Sequence, residues 1–333
     1  MKDAKKVDHT KKERKEFNPK SIKKMEFTVI LSIVIFAVVF VVLSFFTGME
    51  NVWDKFNDIS FAVWVALLSL SMVNYVGRGL KWHLFGQRLG FNVPLKRMAI
   101  YYFSGMSMTV TPGKIGTGLR LWFLKKCHNI SYSKGLPLMI MDPITDLASL
   151  FIMCLAGVAA FGGGATASLF VFGGILGGLM LIFAKPKLFL MIIKGIYSLT
   201  KRTKPRRFAS MQKMVRHITT LVNPKTFSST VFFSMIGWGA TTFAFFIILQ
   251  KMGADISFAQ AMFIYSFSTI IGGATMSPGG LGGTEAAMVL SLVAIGVPEE
   301  TAIASTLVIR TTTLWFGVFV GFICLPFAMR IAK

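Results

Sequence analysis

The chain has 333 residues, of which 54% are apolar and only 15% are charged, and its formal net charge is +22. This composition excludes an ordinary soluble domain, in which about 25% of the residues are charged. The positive charge does not indicate nucleic acid binding, because the lysines and arginines fall in the gaps between apolar blocks, as the positive-inside rule describes.

Six uninterrupted apolar blocks are each close to the length that crosses a bilayer as a helix, about 17–25 residues. Their apolar residues are continuous rather than alternating, which predicts helices and not strands. Two more apolar blocks, residues 98–124 and 258–295, are interrupted by glycine and proline. The six uninterrupted blocks are residues 27–46, 61–76, 136–160, 168–184, 227–249 and 302–325.

Charges in the gaps of the first half predict the topology there. The basic tail 1–26 is predicted to be cytoplasmic, and the gap at 48–58, which carries three acidic residues, is predicted to be outside. The gaps 78–97 and 125–134 are both basic and therefore both predicted to be cytoplasmic. Because they flank block 98–124, this block is predicted to enter the membrane and return to the same side.

The second half repeats this argument from the opposite side. Linker 185–225 is basic and is predicted to be cytoplasmic, whereas Glu299 and Glu300 mark the last gap as outside. Block 258–295 is therefore predicted to enter from outside and return, and the short tail 328–333 is predicted to be cytoplasmic. The sequence thus predicts an all-α polytopic protein of the plasma membrane, with six spanning helices, two re-entrant hairpins and both termini in the cytoplasm.

The two interrupted blocks share a motif, Tyr-x-Phe-Ser followed by Ser/Thr-Pro-Gly-x-Ile/Leu-Gly. The two parts of the motif begin at Tyr101 and Thr111 in the first copy, and at Tyr265 and Ser277 in the second. Paired, interrupted segments of opposite orientation are typical of inverted-repeat transporters. An alternative, that both copies are ordinary helix kinks, stays open at this point. The transmembrane domain and its two repeats are predicted at 27–327, 58–160 and 227–327.

Each motif has the residues that begin a helix, because serine or threonine suits the N-cap and proline suits the first helical position. A helix that begins inside the membrane presents N–H groups and partial positive charge, which suit a phosphate or carboxylate. Irregular backbone at this depth must face protein or water, so the hairpin tips are predicted to meet around a polar chamber for an anionic lipid headgroup. The predicted headgroup contacts are Thr111, Pro112, Gly113, Lys114, Gly116, Arg120, Ser277, Pro278, Gly279, Gly280, Gly282, Glu285 and Arg310.

Ionisable residues inside the apolar blocks are predicted to pair, because an unpaired charge in the membrane is costly. Glu285 is expected two turns into a half-helix that begins at Pro278, at a depth similar to that of Arg310, so we predict an ion pair between them. That pair could also be purely structural. Asp142 and Asp146 are four residues apart on one helix face and are candidates for a proton relay.

At these residues the chain resembles a known family over about residues 27–327. Three motifs look like the flippase-like membrane region of lysylphosphatidylglycerol synthases. The resemblance implies movement or modification of lipids, including aminoacylated phosphatidylglycerol, and resistance to cationic peptides; some relatives handle polyprenyl-linked lipids. The motifs are Pro112-Gly113-Lys114-Ile115-Gly116 with Arg120, Pro278-Gly279-Gly280-Leu281-Gly282 with Glu285, and Arg310 with Leu314-Trp315.

Two departures from that family bear on activity. Family members often carry Glu-Arg before the aspartate of the third helix, whereas this chain has Asp142-Pro143 there and matches only at Asp146. Full-length synthases also carry a cytosolic aminoacyl-transferase domain, but this chain ends at Lys333. We therefore expect no lysyl transfer from the chain alone.

The leading functional prediction is a lipid flippase that moves an anionic or aminoacylated phospholipid, such as lysyl-phosphatidylglycerol, between leaflets. The alternatives are a membrane enzyme or subunit of phosphatidylglycerol lysyltransferase, and a flippase of a polyprenyl-linked lipid. The cysteines, at 127, 154 and 324, have no metal or disulfide spacing, so no cofactor is predicted. The predicted partner is a phospholipid substrate, with a separate synthase and a second copy of the chain left open.

Overall fold

A computed structural model describes residues 59–111, 115–159 and 217–332, without the side chains of residues 115–117. All regular secondary structure in this part of the chain is helical, which confirms the predicted all-α class. The predicted spans at 27–46 and 168–184, the basic tail 1–26 and most of the linker lie outside the described residues.

The first half contains two long helices that flank two short ones. The short pair corresponds to the first interrupted block, and the first Pro-Gly motif falls between its helices in the sequence. The helices are α1 (Phe61–Arg88), α2 (Leu95–Met106), α3 (Ile115–His128) and α4 (Tyr132–Ala159).

The second half has the same order of long, short, short and long. Its last long helix runs without a break from Glu299 to Ala332 and contains one π-helical turn. The elements are α5 (Pro224–Lys251), α6 (Phe258–Ala274), a 3-10 turn (Pro278–Gly280), α7 (Gly283–Ala294), α8 (Glu299–Arg310), the π turn (Thr311–Trp315) and α9 (Phe316–Ala332).

Four of these helices are long and apolar enough to cross a membrane: α1, α4, α5 and the continuous α8–α9 helix. A helix of 28 residues, such as α1, rises about 42 Å, which exceeds a hydrocarbon core of about 30 Å. They correspond to four of the six predicted spans. Helix α6 is apolar but shorter, with 17 residues.

Helix α1 corrects one expectation from the sequence. The gap predicted at 78–97 begins inside this helix, because α1 continues to Arg88. Arg78 and Lys81 are therefore helical residues, and the Lys81 side chain is fully buried. The helix continues through these charges because each of them pairs with an aspartate, as described below.

Helices α1 and α5 end in the same way. Gly90 and Gly253 take left-handed backbone conformations, with φ angles of 72° and 82°. The residue after each glycine donates a backbone hydrogen bond to the carbonyl five residues earlier. Phe91 N–H donates to the Gly86 carbonyl (2.9 Å), and Ala254 N–H donates to the Leu249 carbonyl (3.0 Å). This is the Schellman motif, which satisfies helix-end carbonyls.

The two halves pack against each other in a reciprocal way. The leading helices α1 and α5 lie against each other, α4 packs on α6, and α9 packs on α2. Glycines allow the last two contacts to be close. A methyl group on Gly157 of α4 would lie 2.8 Å from the backbone nitrogen of Phe263, and one on Gly321 of α9 would lie 2.1 Å from that of Ser107.

Candidate functional site

The turns after α2 and α6, which carry the repeated motif, lie against each other. A methyl group on Gly279 would be 3.3 Å from Val110 Cγ1 and 3.1 Å from Leu314 Cδ1. Val110, Leu314 and Val318 form a small buried apolar cluster at this contact, with Leu281 packed against it. The described part of the first turn therefore touches the second tip, and this contact is apolar; the polar chamber around the tips stays a prediction.

The tip in the second half has an unusual backbone that only glycine adopts readily. Gly279, Gly280 and Gly282 have φ angles of 64°, 71° and 83°. Any other residue would be strained in this left-handed region. The glycines turn the chain from the 3-10 segment into α7, and they leave backbone groups exposed to close approach.

This backbone corrects two details of the prediction. Helix α7 begins at Gly283, with Gly282 as its N-cap, and not at Pro278. Glu285 therefore lies in the first turn of α7 rather than two turns inside a helix. Ser277 lies at the N-cap of the 3-10 turn, as predicted, but its hydroxyl makes no capping bond and lies 2.9 Å from the Thr275 hydroxyl. The run of left-handed glycines is the reason, because it interrupts helical geometry after Pro278.

The predicted ion pair between Glu285 and Arg310 is present. Arg310 Nε donates to Glu285 Oε1 at 2.6 Å, and the two side chains are 11% and 7% exposed. A second guanidinium nitrogen, Nη2, donates to the Gly279 carbonyl at 2.8 Å. Glu285 Oε2 is buried and has no hydrogen-bond partner among the described residues. Arg310 therefore ties the glycine-rich tip to α8, and Glu285 keeps one acceptor unused.

The π turn directly follows Arg310 and accepts a hydrogen bond from a side chain of α1. The Tyr75 hydroxyl donates to the carbonyl of Thr313, which lies in the π turn. A methyl group on Gly317 would lie 3.0 Å from the same hydroxyl, so the glycine makes room for Tyr75. Single π turns inside α-helices often mark functional sites.

The structure describes only part of the tip in the first half. Thr111 is buried, and its hydroxyl donates to the Met108 carbonyl at 2.7 Å. Gly116 lies in the first turn of α3. The other predicted contacts of this tip lie outside the described residues; they are Pro112, Gly113 and Lys114.

Arg120, Asp142 and Asp146 belong to a second group of charges. Two residues of α1, Arg78 and Lys81, complete it, and we call these five residues the five-charge cluster. Lys81 Nζ lies 2.8 Å from Asp142 Oδ1 and 2.5 Å from Asp146 Oδ1. Arg78 Nη2 lies 2.7 Å from Asp146 Oδ2, and Arg120 Nη1 lies 3.8 Å from Asp142 Oδ2.

Aromatic and hydroxyl groups hold the cluster in place. The Arg120 guanidinium lies over the Tyr102 ring, 3.9 Å from its centroid, and the Arg78 guanidinium lies 5.2 Å from the Trp238 ring centroid. Ser234 of α5 donates to Asp146 Oδ1 at 2.9 Å and accepts from Lys81 Nζ at 3.0 Å. The cluster therefore joins α1, α3, α4 and α5.

Asp142 and Asp146 thus each lie beside one lysine and one arginine. The predicted proton-relay role for these two residues stays a prediction. In the described part of the chain, no group of three or more His, Cys, Asp or Glu side chains is placed to hold a metal ion.

Sequence reasoning missed Arg78, Lys81 and Ser234. A signal for the first two was present, because Ser71, Asn74, Arg78 and Lys81 recur at spacings of three or four and so share one face of α1. The basic residues had instead been assigned to a cytoplasmic gap. A signal for Ser234 was present as well, because Thr226, Thr230 and Ser234 recur at a spacing of four and so share one face of α5.

Comparison with known proteins is consistent with this architecture. The family described as "Lysylphosphatidylglycerol synthase TM region" matches residues 29–321. A UPF0104 membrane protein of Pyrococcus horikoshii is 24% identical over 269 residues, which cover 73% of this chain and 80% of the relative. A UPF0104 membrane protein of Methanothermobacter thermautotrophicus is 22% identical over 297 residues, which cover 81% and 86%. The names of both relatives give a membrane location and no activity.

Proposed function

Because the chain belongs to the family of the lysylphosphatidylglycerol synthase transmembrane region, we propose that this membrane protein moves a polar lipid between the two leaflets. One observation carries the proposal: the two motif-bearing tips meet beside a buried Glu285–Arg310 pair. Irregular backbone and charge are tolerated at membrane depth only where protein or a wet cavity shields them from hydrocarbon. A lipid headgroup is a natural ligand for such a place, since its tails can stay in the bilayer.

The chemistry of the Glu285–Arg310 pair favours a headgroup with a phosphate, an amine or both. Arg310 already donates to a carboxylate and to a backbone carbonyl, and a phosphate can replace either acceptor. Glu285 Oε2 is an unused acceptor that suits an ammonium group. We therefore infer that the substrate is an anionic or aminoacylated phospholipid, with lysyl-phosphatidylglycerol as the first candidate. Export of such a lipid would link the protein to cationic-peptide resistance.

The element order supports an inverted repeat, although opposite orientation of the halves remains part of the proposal. Each half runs long, short, short, long, and the last long helix of each half packs on the second helix of the other. A two-fold relation predicts this reciprocity. In transporters with inverted repeats, one half rocks against the other around a central site, which gives each side access in turn.

Transport can be tested in proteoliposomes with fluorescent phosphatidylglycerol or lysyl-phosphatidylglycerol, by following chemical quenching of the outer-leaflet label. We expect the wild type to expose inner-leaflet label, and Glu285→Ala and Arg310→Ala to slow this exposure at least tenfold. The matched control is Glu299→Ala, which removes an exposed carboxylate at the start of α8. That variant should transport like the wild type.

The failures of this assay are informative. If a folded wild type moves neither lipid, the proposed substrates are wrong, and a labelled polyprenyl phosphate should be tried in the same vesicles. If the site variants transport as fast as the wild type, the Glu285–Arg310 pair is only structural. Chemical conversion of the lipid, detected by mass spectrometry, would favour a lipid-modifying enzyme instead.

A further inference from the structure

The five-charge cluster does not balance its own charge. Arg78, Lys81 and Arg120 carry three positive charges, and Asp142 and Asp146 carry two negative ones, so the cluster has a net charge of +1. Four of the five side chains are at most 8% exposed, and Arg78 is 25% exposed. A buried excess charge is strongly unfavourable unless a counter-charge accompanies it.

The chain from residue 59 onward has no further acid to supply that counter-charge. Glu285 is paired with Arg310. The other three acids of this part lie at helix starts or in turns, where Asp255 and Glu299 are exposed and Glu300 is partly so. All remaining acids of the sequence lie in residues 1–58.

The incompletely neutralised groups lie at the two ends of the cluster. Arg78 Nη2 forms an ion pair with Asp146, but the buried Arg78 Nε has no hydrogen-bond partner in the described part of the chain. Arg120 Nη1 lies 3.8 Å from Asp142 Oδ2, beyond hydrogen-bond distance. Lys81 itself is saturated by four oxygen atoms. Arg78, the most exposed of the five, is therefore the accessible end.

We propose that the five-charge cluster binds a phosphate group with one negative charge, and that Arg78 contacts it. A guanidinium presents planar pairs of N–H donors that match phosphate oxygens, and that of Arg78 lies over the Trp238 ring, 5.2 Å from its centroid. A single negative charge neutralises the site. Either a lipid phosphodiester or free phosphate has this chemistry. None of the site's five residues belongs to the Glu285–Arg310 pair, and its occupancy can be measured without transport.

Equilibrium binding to the full chain in neutral detergent micelles tests the proposal. Three probes are titrated: inorganic phosphate, phosphatidylglycerol, and diacylglycerol, which has the same tails and no phosphate. Arg78→Gln removes the excess charge, and Asp142→Asn raises it to +2. Arg78→Lys keeps the charge without the planar donors. The control is Arg88→Gln, at the exposed end of the same helix.

The net charge of the cluster predicts that Arg78→Gln and Asp142→Asn shift the affinity for phosphate in opposite directions. We expect Arg78→Gln to weaken binding of the phosphate-containing probe at least tenfold, Arg78→Lys to weaken it less, and Asp142→Asn to tighten it several-fold. Arg88→Gln should bind like the wild type. Binding of phosphatidylglycerol alone identifies a lipid source, whereas equal binding of inorganic phosphate identifies a free anion, and both results support the site.

Two results would overturn the proposal. One is equal binding of diacylglycerol and phosphatidylglycerol with no binding of phosphate, which would mean that only the tails are recognised. The other is Arg78→Gln and Asp142→Asn shifting affinity in the same direction, as a purely structural cluster predicts. Size-exclusion profiles show whether each variant is folded. Since no transport is measured, loss of flipping in the vesicle assay and loss of phosphate binding are separate outcomes.

Discussion

Lys81 is the residue on which the five-charge cluster depends. Its side chain has no exposed surface, and its ammonium group contacts both aspartates, the Ser234 hydroxyl and the Asp142 carbonyl. A lysine buried this deeply persists only with such partners, because desolvation of an ammonium group is costly. A single side chain therefore joins three helices, α1, α4 and α5.

We expect Lys81→Met to destabilise the protein by about 3 kcal/mol, near the low end of the cost of breaking a buried ion pair, because Arg78 and Arg120 still face the aspartates. Adding Asp146→Asn should increase this loss, because Arg78 then loses its aspartate and the buried charge of the cluster rises from 0 to +1. Denaturant unfolding in mixed micelles measures both effects. Lys251→Met, at the exposed end of α5, is the control; equal effects at both lysines would contradict the prediction.

Among individual residues, the sequence predicted the Glu285–Arg310 pair but not the partners of Asp142 and Asp146. The first pair was predictable because both residues stand alone in apolar blocks at similar depth. Arg78 and Lys81 stand near the end of a block, where basic residues usually face the cytoplasm. Only the length of α1, which runs on to Arg88, places them inside the helix.

Helices were easier to predict than their ends. A continuous apolar block that crosses lipid must be a helix, because its backbone groups can be satisfied only within the segment. The four helices that are long and apolar enough to span can therefore be predicted from composition. The start of α7 was missed because Pro278 begins a 3-10 turn that contains two left-handed glycines, and a third, Gly282, lies between that turn and the helix. Glycine tolerates many conformations, so its position in a sequence does not say which one it adopts.

The close contact between α9 and α2 gives a prediction about elements. A methyl group on Gly321 would lie 2.1 Å from the Ser107 nitrogen, which is backbone and cannot rotate away. We expect Gly321→Ala to cost about 2 kcal/mol through overpacking. Gly239→Ala is the control, because its methyl group meets no atom within 4 Å. Thermal unfolding in detergent compares them, and equal midpoints would mean that the helices separate easily.

The orientation of the whole molecule is open to a direct test. We expect Asp255→Cys and Glu299→Cys to react with a membrane-impermeant maleimide in intact cells, and Ser131→Cys to react only after permeabilisation. All three sites are exposed, and the background lacks the native cysteines. Charge in the flanking gaps is the physical basis. Reaction of all three from one side would contradict the inverted topology.

The packing of α9 on α2 has a consequence for how the protein is made. Gly321 and its helix are synthesised after the other described helices, yet Ala328 and Ala332 belong to the same buried core as Trp82 and Tyr101 of the first half. The first half therefore leaves the ribosome without part of its own interior. It must wait in the bilayer, with the α2 surface that α9 covers still open, until α9 has been made. We expect ribosomal products truncated before α9 to be degraded as a whole, rather than to leave a stable first half behind.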